Sequence, residues 1–192
     1  DAEPLYDGAT GTPEDLYTTP ITISGAEPTD TISSGSQVIS VCIEMEHSWL
    51  TDLEAWLTCP NGDSVPLFNA YSENFASLDG YLPGGFPASS GINLGLPGPG
   101  IGDGTCWSYC FSGTQNTFGT FRDEYQGMSN QMTSGTYLPE ESFDGLIGCP
   151  VNGTWSINIA DNWGGDDGYI CQWSIELADS LTPEPEFYTP QI

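Results

Sequence analysis

Positive charge is almost missing from this chain. Arg122 is its one basic residue and His47 its one histidine, against 27 Asp and Glu, giving a formal net charge of −26. Holding phosphate requires Lys and Arg to displace counterions, so nucleic acid and anionic membrane surfaces are excluded as partners. A single histidine and the absence of any Cys-x-x-Cys pair argue against a zinc site. Long apolar runs are also missing, and no segment matches the roughly 20 apolar residues of a membrane-crossing helix. No signal peptide is visible, because Asp1 opens an acidic, Pro-containing stretch. The chain is therefore expected to be a mature or excised part of a secreted protein, without membrane insertion. There is no Gly-x-Ser-x-Gly elbow, no repeat of solenoid length and no clear amphipathic helix.

What is present points to a β protein. The 192 residues suffice for one domain with a real core, and 38% hydrophobic and 12% aromatic residues argue for packing rather than disorder. The 24 Gly and 15 Pro imply many turns and short strands. The acidity makes the compact state repel itself, which salt or bound cations relieve. Adaptation to a salty medium and calcium binding by some of the carboxylates are compatible readings of it. Six cysteines, Cys42, Cys59, Cys106, Cys110, Cys149 and Cys171, are most simply three disulfides in an oxidising, extracellular setting; buried free thiols are the alternative. The connectivity stays open, although Cys106 and Cys110 are close enough in sequence to close a small loop. Asn152-Gly153-Thr154 fits the glycosylation pattern, which alone says little.

Along the chain, residues 1–20 are acidic, Pro- and Gly-containing and aperiodic, and read as a lead-in. Residues 181–192, with Pro183, Pro185 and Pro190, read as an extended exit linker. The alternative is that both ends pack on the domain surface. Between them, 21–180 reads as one domain. Ile21-Thr22-Ile23 is a short strand. From Gln37 to His47, Val41, Ile43 and Met45 share one face; from Leu53 to Cys59, Leu53, Ala55 and Leu57 do. Pro60-Asn61-Gly62-Asp63 is a turn, and 64–68 closes a hairpin in which Pro66 demands an edge or a bulge. Residues 69–137 are less regular, with Tyr109, Phe111, Phe118 and Phe121 as possible anchors. Thr154–Ile159 and Gln172–Leu177 alternate cleanly and flank the loop 161–168.

Two segments a hundred residues apart carry a resemblance. One supplies His47, Asp52, Leu53, Pro60 and Gly62; the other supplies Gly153-Thr154-Trp155, then Asp161, Gly165-Asp166-x-Gly168 and Trp173. Together they resemble the P domain, or P/Homo B module, that follows the catalytic domain of proprotein convertases and many bacterial subtilisin-like proteases. Leu138-Pro139 and Phe143-Asp144-Gly145 also match a short family segment. The resemblance spans about Ile21 to Ala178. It implies a jelly-roll-like β-sandwich, a calcium site and no catalysis. The cysteines depart from the protease-linked form and are more similar to modules of large secreted bacterial surface proteins.

The candidate metal ligands are Asp52, Asp161, Asn162, Asp166 and Asp167. The loop 161–168 places three carboxylates and an amide oxygen in eight residues with three glycines. Calcium takes about six to eight oxygens, and carboxylates this close repel one another without a cation. A solvated acidic hairpin tip is the plain alternative; for Asp52 it is a turn cap. His47 reads as a structural histidine that joins two strands rather than as a catalytic base. Glu44, Glu46 and Glu54 lie on strands, where accidental carboxylate pairs arise easily in so acidic a chain. Trp49, Trp107, Trp163 and Tyr169 offer a sugar-stacking platform or simply pack loops, whereas Trp155 and Trp173 read as core.

These readings converge on an all-β, disulfide-stapled sandwich at the cell surface or outside the cell. The function they imply is a non-catalytic, Ca2+-stabilised module serving adhesion or structural assembly. The alternatives are an accessory domain stabilising a subtilisin-like protease and a carbohydrate-binding module. The expected partners are other domains of the same polypeptide, with homotypic or surface-glycan contacts.

Overall fold

A computed structural model of the chain describes residues 3–5, 16–70, 91–99, 104–162, 166 and 168–181. In chain order the strands are β1 (Glu3–Leu5), β2 (Leu16–Ile23), β3 (Val38–His47), β4 (Leu53–Thr58), β5 (Ser64–Asn69), β6 (Trp107–Phe111), β7 (Gly135–Tyr137), β8 (Gly153–Asp161) and β9 (Gly168–Leu177). They form two sheets, one ordered β1-β9-β3-β6-β7 and the other β2-β8-β4-β5. All pairings are antiparallel except that of β6 with β7. The strands expected from the alternation, and the all-β sandwich that the resemblance implied, are therefore what the chain forms.

The alternation decides which faces meet. Val41, Ile43 and Met45 of β3 point into the core, as do Leu53, Ala55 and Leu57 of β4 and Trp155, Ile157 and Ile159 of β8. These residues from both sheets belong to one buried cluster. Trp155 is fully buried and its indole N–H donates to the Val151 carbonyl at 3.0 Å, so the core gains a large apolar surface without an orphaned donor. Phe121 joins the sheets: its ring lies 4.9 Å from Phe68 of β5 and 5.2 Å from Phe111 of β6. A capping box starts that residue's helical turn, with Thr120 accepting from the Asp123 backbone and Asp123 from the Thr120 backbone. Tyr109, Phe111, Phe118 and Phe121 all anchor the less regular stretch, as expected.

Pro66 meets both of its expectations. It lies on β5, the edge of its sheet, and next to a bulge, because Ala55 opposes Phe68 while Trp56 opposes Pro66, leaving Leu67 extra.

The lead-in 1–20 is more structured than its composition implied. Glu3–Leu5 pairs with β9, and β2 begins at Leu16 rather than at Ile21. Its exposed residues are Leu16, Thr18, Pro20 and Thr22, so polar and apolar side chains fall on both faces and the period-2 signal is lost. At the other end Asp179–Leu181 forms a turn with Leu181 buried, and 182–192 lie outside the described residues.

The cysteines form three disulfides, Cys42–Cys110, Cys59–Cys149 and Cys106–Cys171. The small loop between Cys106 and Cys110 does not exist. Cys110 lies in β6 and Cys106 just before it, so extended chain holds them about 13 Å apart, too far for a bond. Cys110 instead faces Cys42 directly across the β3–β6 ladder. Cys171 is the extra residue of a bulge, since Glu44 opposes Gln172 and Met45 opposes Ile170. The bulge turns it toward Cys106.

Candidate functional site

The two segments that carried the sequence argument meet at one end of the sandwich. β3 ends at His47, and the chain crosses to the other sheet through a 3-10 turn, Leu50–Asp52, that leads into β4. β8 ends at Asp161 beside Leu53, and β9 begins at Gly168 beside His47. Both connections thus cross between the sheets side by side. Gly168 allows this approach: a Cβ there would lie 2.4 Å from both the Glu46 carbonyl and His47 Cδ2.

Polar contacts stitch the two crossings together. His47 Nε2–H donates to Asp161 Oδ2 at 3.0 Å, both side chains being fully buried. His47 Nδ1 lies 3.0 Å from both the amide and the carbonyl of Trp49; it accepts from the first when neutral and donates to the second when protonated. Ser48 donates to Asp166 Oδ1 at 3.2 Å. The Asn162 backbone N–H and its Nδ2 both donate to the Asp52 carbonyl, at 2.9 and 3.2 Å. Asn162 Nδ2 also reaches Glu54 Oε2 at 3.4 Å.

The electrostatics of this end are unbalanced. Burial, followed by the neighbouring Asp161 charge, pushes the Asp52 carboxyl up to about 7, with Asp166 adding to the rise and His47 opposing it. Burial alone would lower the His47 pKa. The hydrogen bond and charge of Asp161, the charge of Asp52 and the Trp49 carbonyl outweigh burial and raise it. Two oxygens, Asp52 Oδ2 and Asn162 Oδ1, are buried without a hydrogen-bond partner among the described residues. Leaving such atoms unmatched costs about 1–3 kcal/mol each. Carboxylate and amide oxygens alone, gathered under mutual repulsion, are the donor set of a hard divalent cation such as calcium. Asp52, Asp161, Asn162 and Asp166 meet that test.

Four of the five expected ligands, Asp52, Asp161, Asn162 and Asp166, are therefore brought to one place. Asp167 lies outside the described residues, as do Trp163, Gly164 and Gly165. Glu54, buried against Asn162, was not among the expected ligands. It shares the outward parity of β4 with Asp52, but that parity alone does not bring it to Asn162, which it meets only because β8 pairs with β4. Ser48 carried no signal in the sequence.

Other candidates disperse. Cys59, Asp63 and Cys149 cluster closely, but their sulfurs are bonded to each other, which leaves one exposed carboxylate. Tyr169 is buried and its hydroxyl donates to the Gly104 carbonyl at 2.8 Å. Trp107 packs on the core, and Trp49 covers Gly91, where a Cβ would lie 2.7 Å from its ring. These aromatics are engaged in packing. Trp155 is core, as expected, and Trp173 packs half-buried against it.

No protein-family model matches the chain, and no curated protein matches it.

Proposed function

We propose that this chain is a non-catalytic, calcium-stabilised module of a secreted or cell-surface protein, serving adhesion or structural assembly. The observation that carries the reading is the pair of buried, unpartnered oxygens, Asp52 Oδ2 and Asn162 Oδ1, beside Asp161 and Asp166. A calcium ion held by these four residues would neutralise the carboxylates and bind the β3–β4 crossing to the β8–β9 crossing. One end of the sandwich then becomes rigid only when the ion is bound. Three disulfides support an oxidising, extracellular setting.

The state of His47 supports the absence of catalysis. Both its ring nitrogens are engaged, one by Asp161 and the other by Trp49 backbone, so neither is left to take a proton from a nucleophile. The similarity to P domains makes a jelly-roll winding and a supporting role beside another domain the natural extension of this reading. In a protease-linked setting the module would stabilise its catalytic neighbour.

The test is the thermal midpoint of the oxidised protein at fixed high ionic strength, in excess EDTA, then in millimolar calcium or magnesium. Calcium should raise the midpoint by many degrees and magnesium should not. Asp161→Asn and Asp166→Asn should each abolish the rise. An unchanged midpoint would sink the proposal and leave this end as a solvated acidic loop.

A further inference from the structure

The outer face of the four-stranded sheet differs from the rest of the molecule. Strand registers place its outward side chains in rows. The first row runs Thr18, Asn158, Trp56, Pro66 across β2, β8, β4 and β5, with Thr18 exposed, Trp56 partly exposed and Asn158 and Pro66 buried. The second runs Pro20, Ser156, Thr58, Ser64. The third pairs Thr22 with Thr154. None of the side chains in these three rows is charged, in a chain with 27 acidic residues; the next row, Leu16, Ala160, Glu54, Asn69, carries one carboxylate, Glu54, and it is buried.

The face is also internally ordered. Thr18 Oγ1 donates to Asn158 Oδ1 at 2.8 Å, and Asn158 Nδ2 donates to Thr58 Oγ1 at 3.0 Å. Thr58 Oγ1 lies 2.7 Å from Ser64 Oγ. This relay fixes the Asn158 amide beside Trp56. The Trp56 side chain is half-exposed and stands outside the core cluster, although indoles are costly to leave wet. The hydroxyls of Thr22, Thr154 and Ser156 make no hydrogen bond within the described residues.

A sheet face whose exposed side chains are uncharged, and which combines one indole with an oriented amide and spare hydroxyls, matches a ligand that is itself uncharged, bears hydroxyls and has an apolar flank. We propose that this face is a binding platform for a neutral polysaccharide. The C–H flank of a sugar ring would lie on Trp56, and its hydroxyls would bond Asn158, Ser156 and Thr154. Ionic ligands gain little here, because the one carboxylate of the face, Glu54, is buried and the molecule's overall field repels anions. A lipid surface finds too few apolar side chains. The proposal stands apart from the calcium reading, since it uses none of the residues at that end.

The test is native affinity electrophoresis of the oxidised, calcium-loaded protein in gels holding hydroxyethylcellulose, galactomannan or dextran, with polyanionic hyaluronan as the control. The expected result is retardation in at least one neutral gel, undiminished by added salt. Trp56→Ala and, independently, Ser156→Glu should weaken it at least tenfold with unchanged thermal midpoints. Trp56→Phe should retain part of it, and Asp166→Asn should leave it intact. The proposal is overturned by free migration in all three neutral gels or by retardation in hyaluronan alone. It is equally overturned by retardation that neither variant alters, or by a wild-type dimer that Ser156→Glu dissolves, which would give the face to a second copy.

Discussion

The β4–β8 pair is held differently at its two ends. After Thr58, Cys59 bonds to Cys149, four residues ahead of Gly153, the first residue of β8. At the opposite end, Leu53 faces Asp161, and what joins the strands' continuations is Asn162 on the Asp52 carbonyl and a buried His47–Asp161 pair. One end is covalent and nearly indifferent to salt, pH and ions. The other collects buried carboxylates whose charges oppose each other, so its integrity depends on what the solution supplies. Two neighbouring strands can thus be permanently registered at one terminus and conditionally fixed at the other.

The sharpest way to break the contrast is to remove the covalent end. Cys59→Ser with Cys149→Ser opens a closure across 90 residues and should lower stability by about 2–5 kcal/mol, read from urea midpoints, with calcium affinity nearly unchanged. A parallel loss of calcium affinity would show that the two ends are not independent. The ionic end comes next. At free calcium roughly a hundredfold above its Kd, stability should rise by about 2.7 kcal/mol, in both the wild type and the variant lacking the Cys59–Cys149 bond.

The pH dependence should separate the ends further. Asp52 is raised from its ordinary 3.8 to about 7, so its contribution is complete below about pH 4 and lost as pH climbs through about 7. His47 is also raised, from 6.5, and it too stabilises at low pH and loses that effect as pH rises through its folded-state pKa. Calcium-free protein should therefore lose about 2 kcal/mol between about pH 5 and about pH 8. Calcium affinity should increase over the same interval, because the ion requires ionised Asp52. Opposite slopes in thermal melts with EDTA and with calcium are the expected signature; parallel slopes would refute it. The smallest effect is Gly168→Ala, whose methyl would press on the Glu46 carbonyl and His47. It should cost about 1 kcal/mol and weaken calcium binding, while leaving the disulfide end untouched, as read by amide exchange at Asn61 and Asp63.

The same contrast explains what could be read in advance. Val41, Ile43 and Met45, and likewise Trp155, Ile157 and Ile159, announced their faces because one side of each strand is buried, and these two strands, β3 and β8, end within one or two residues of the expected bounds. β1 could not be read this way, since three residues on an edge show no period. The disulfide partners were equally hidden. Pairing depends on which strands become neighbours, and the order β9-β3-β6 arises from connections far apart in sequence. At the site, Asp161, Asn162 and Asp166 were legible as a loop rich in oxygen ligands, and Asp52 through the resemblance to P domains. Glu54 was not, because its approach to Asn162 exists only once β4 and β8 are adjacent.

The disulfide at Cys171 has a mechanical side. β9 is the last strand among the described residues, and tension applied from beyond Leu181 would peel it from β3 starting at the Leu177–Val38 pair. Peeling stops at Cys171, which is tied through Cys106 to the segment that Cys110 fixes to β3. Only the ten residues from Gln172 to Leu181 can pay out, about 35 Å of chain. Tension from the opposite terminus meets no such stop before Cys42. The module is thus a nearly inextensible tether in one direction and an unravelling one in the other.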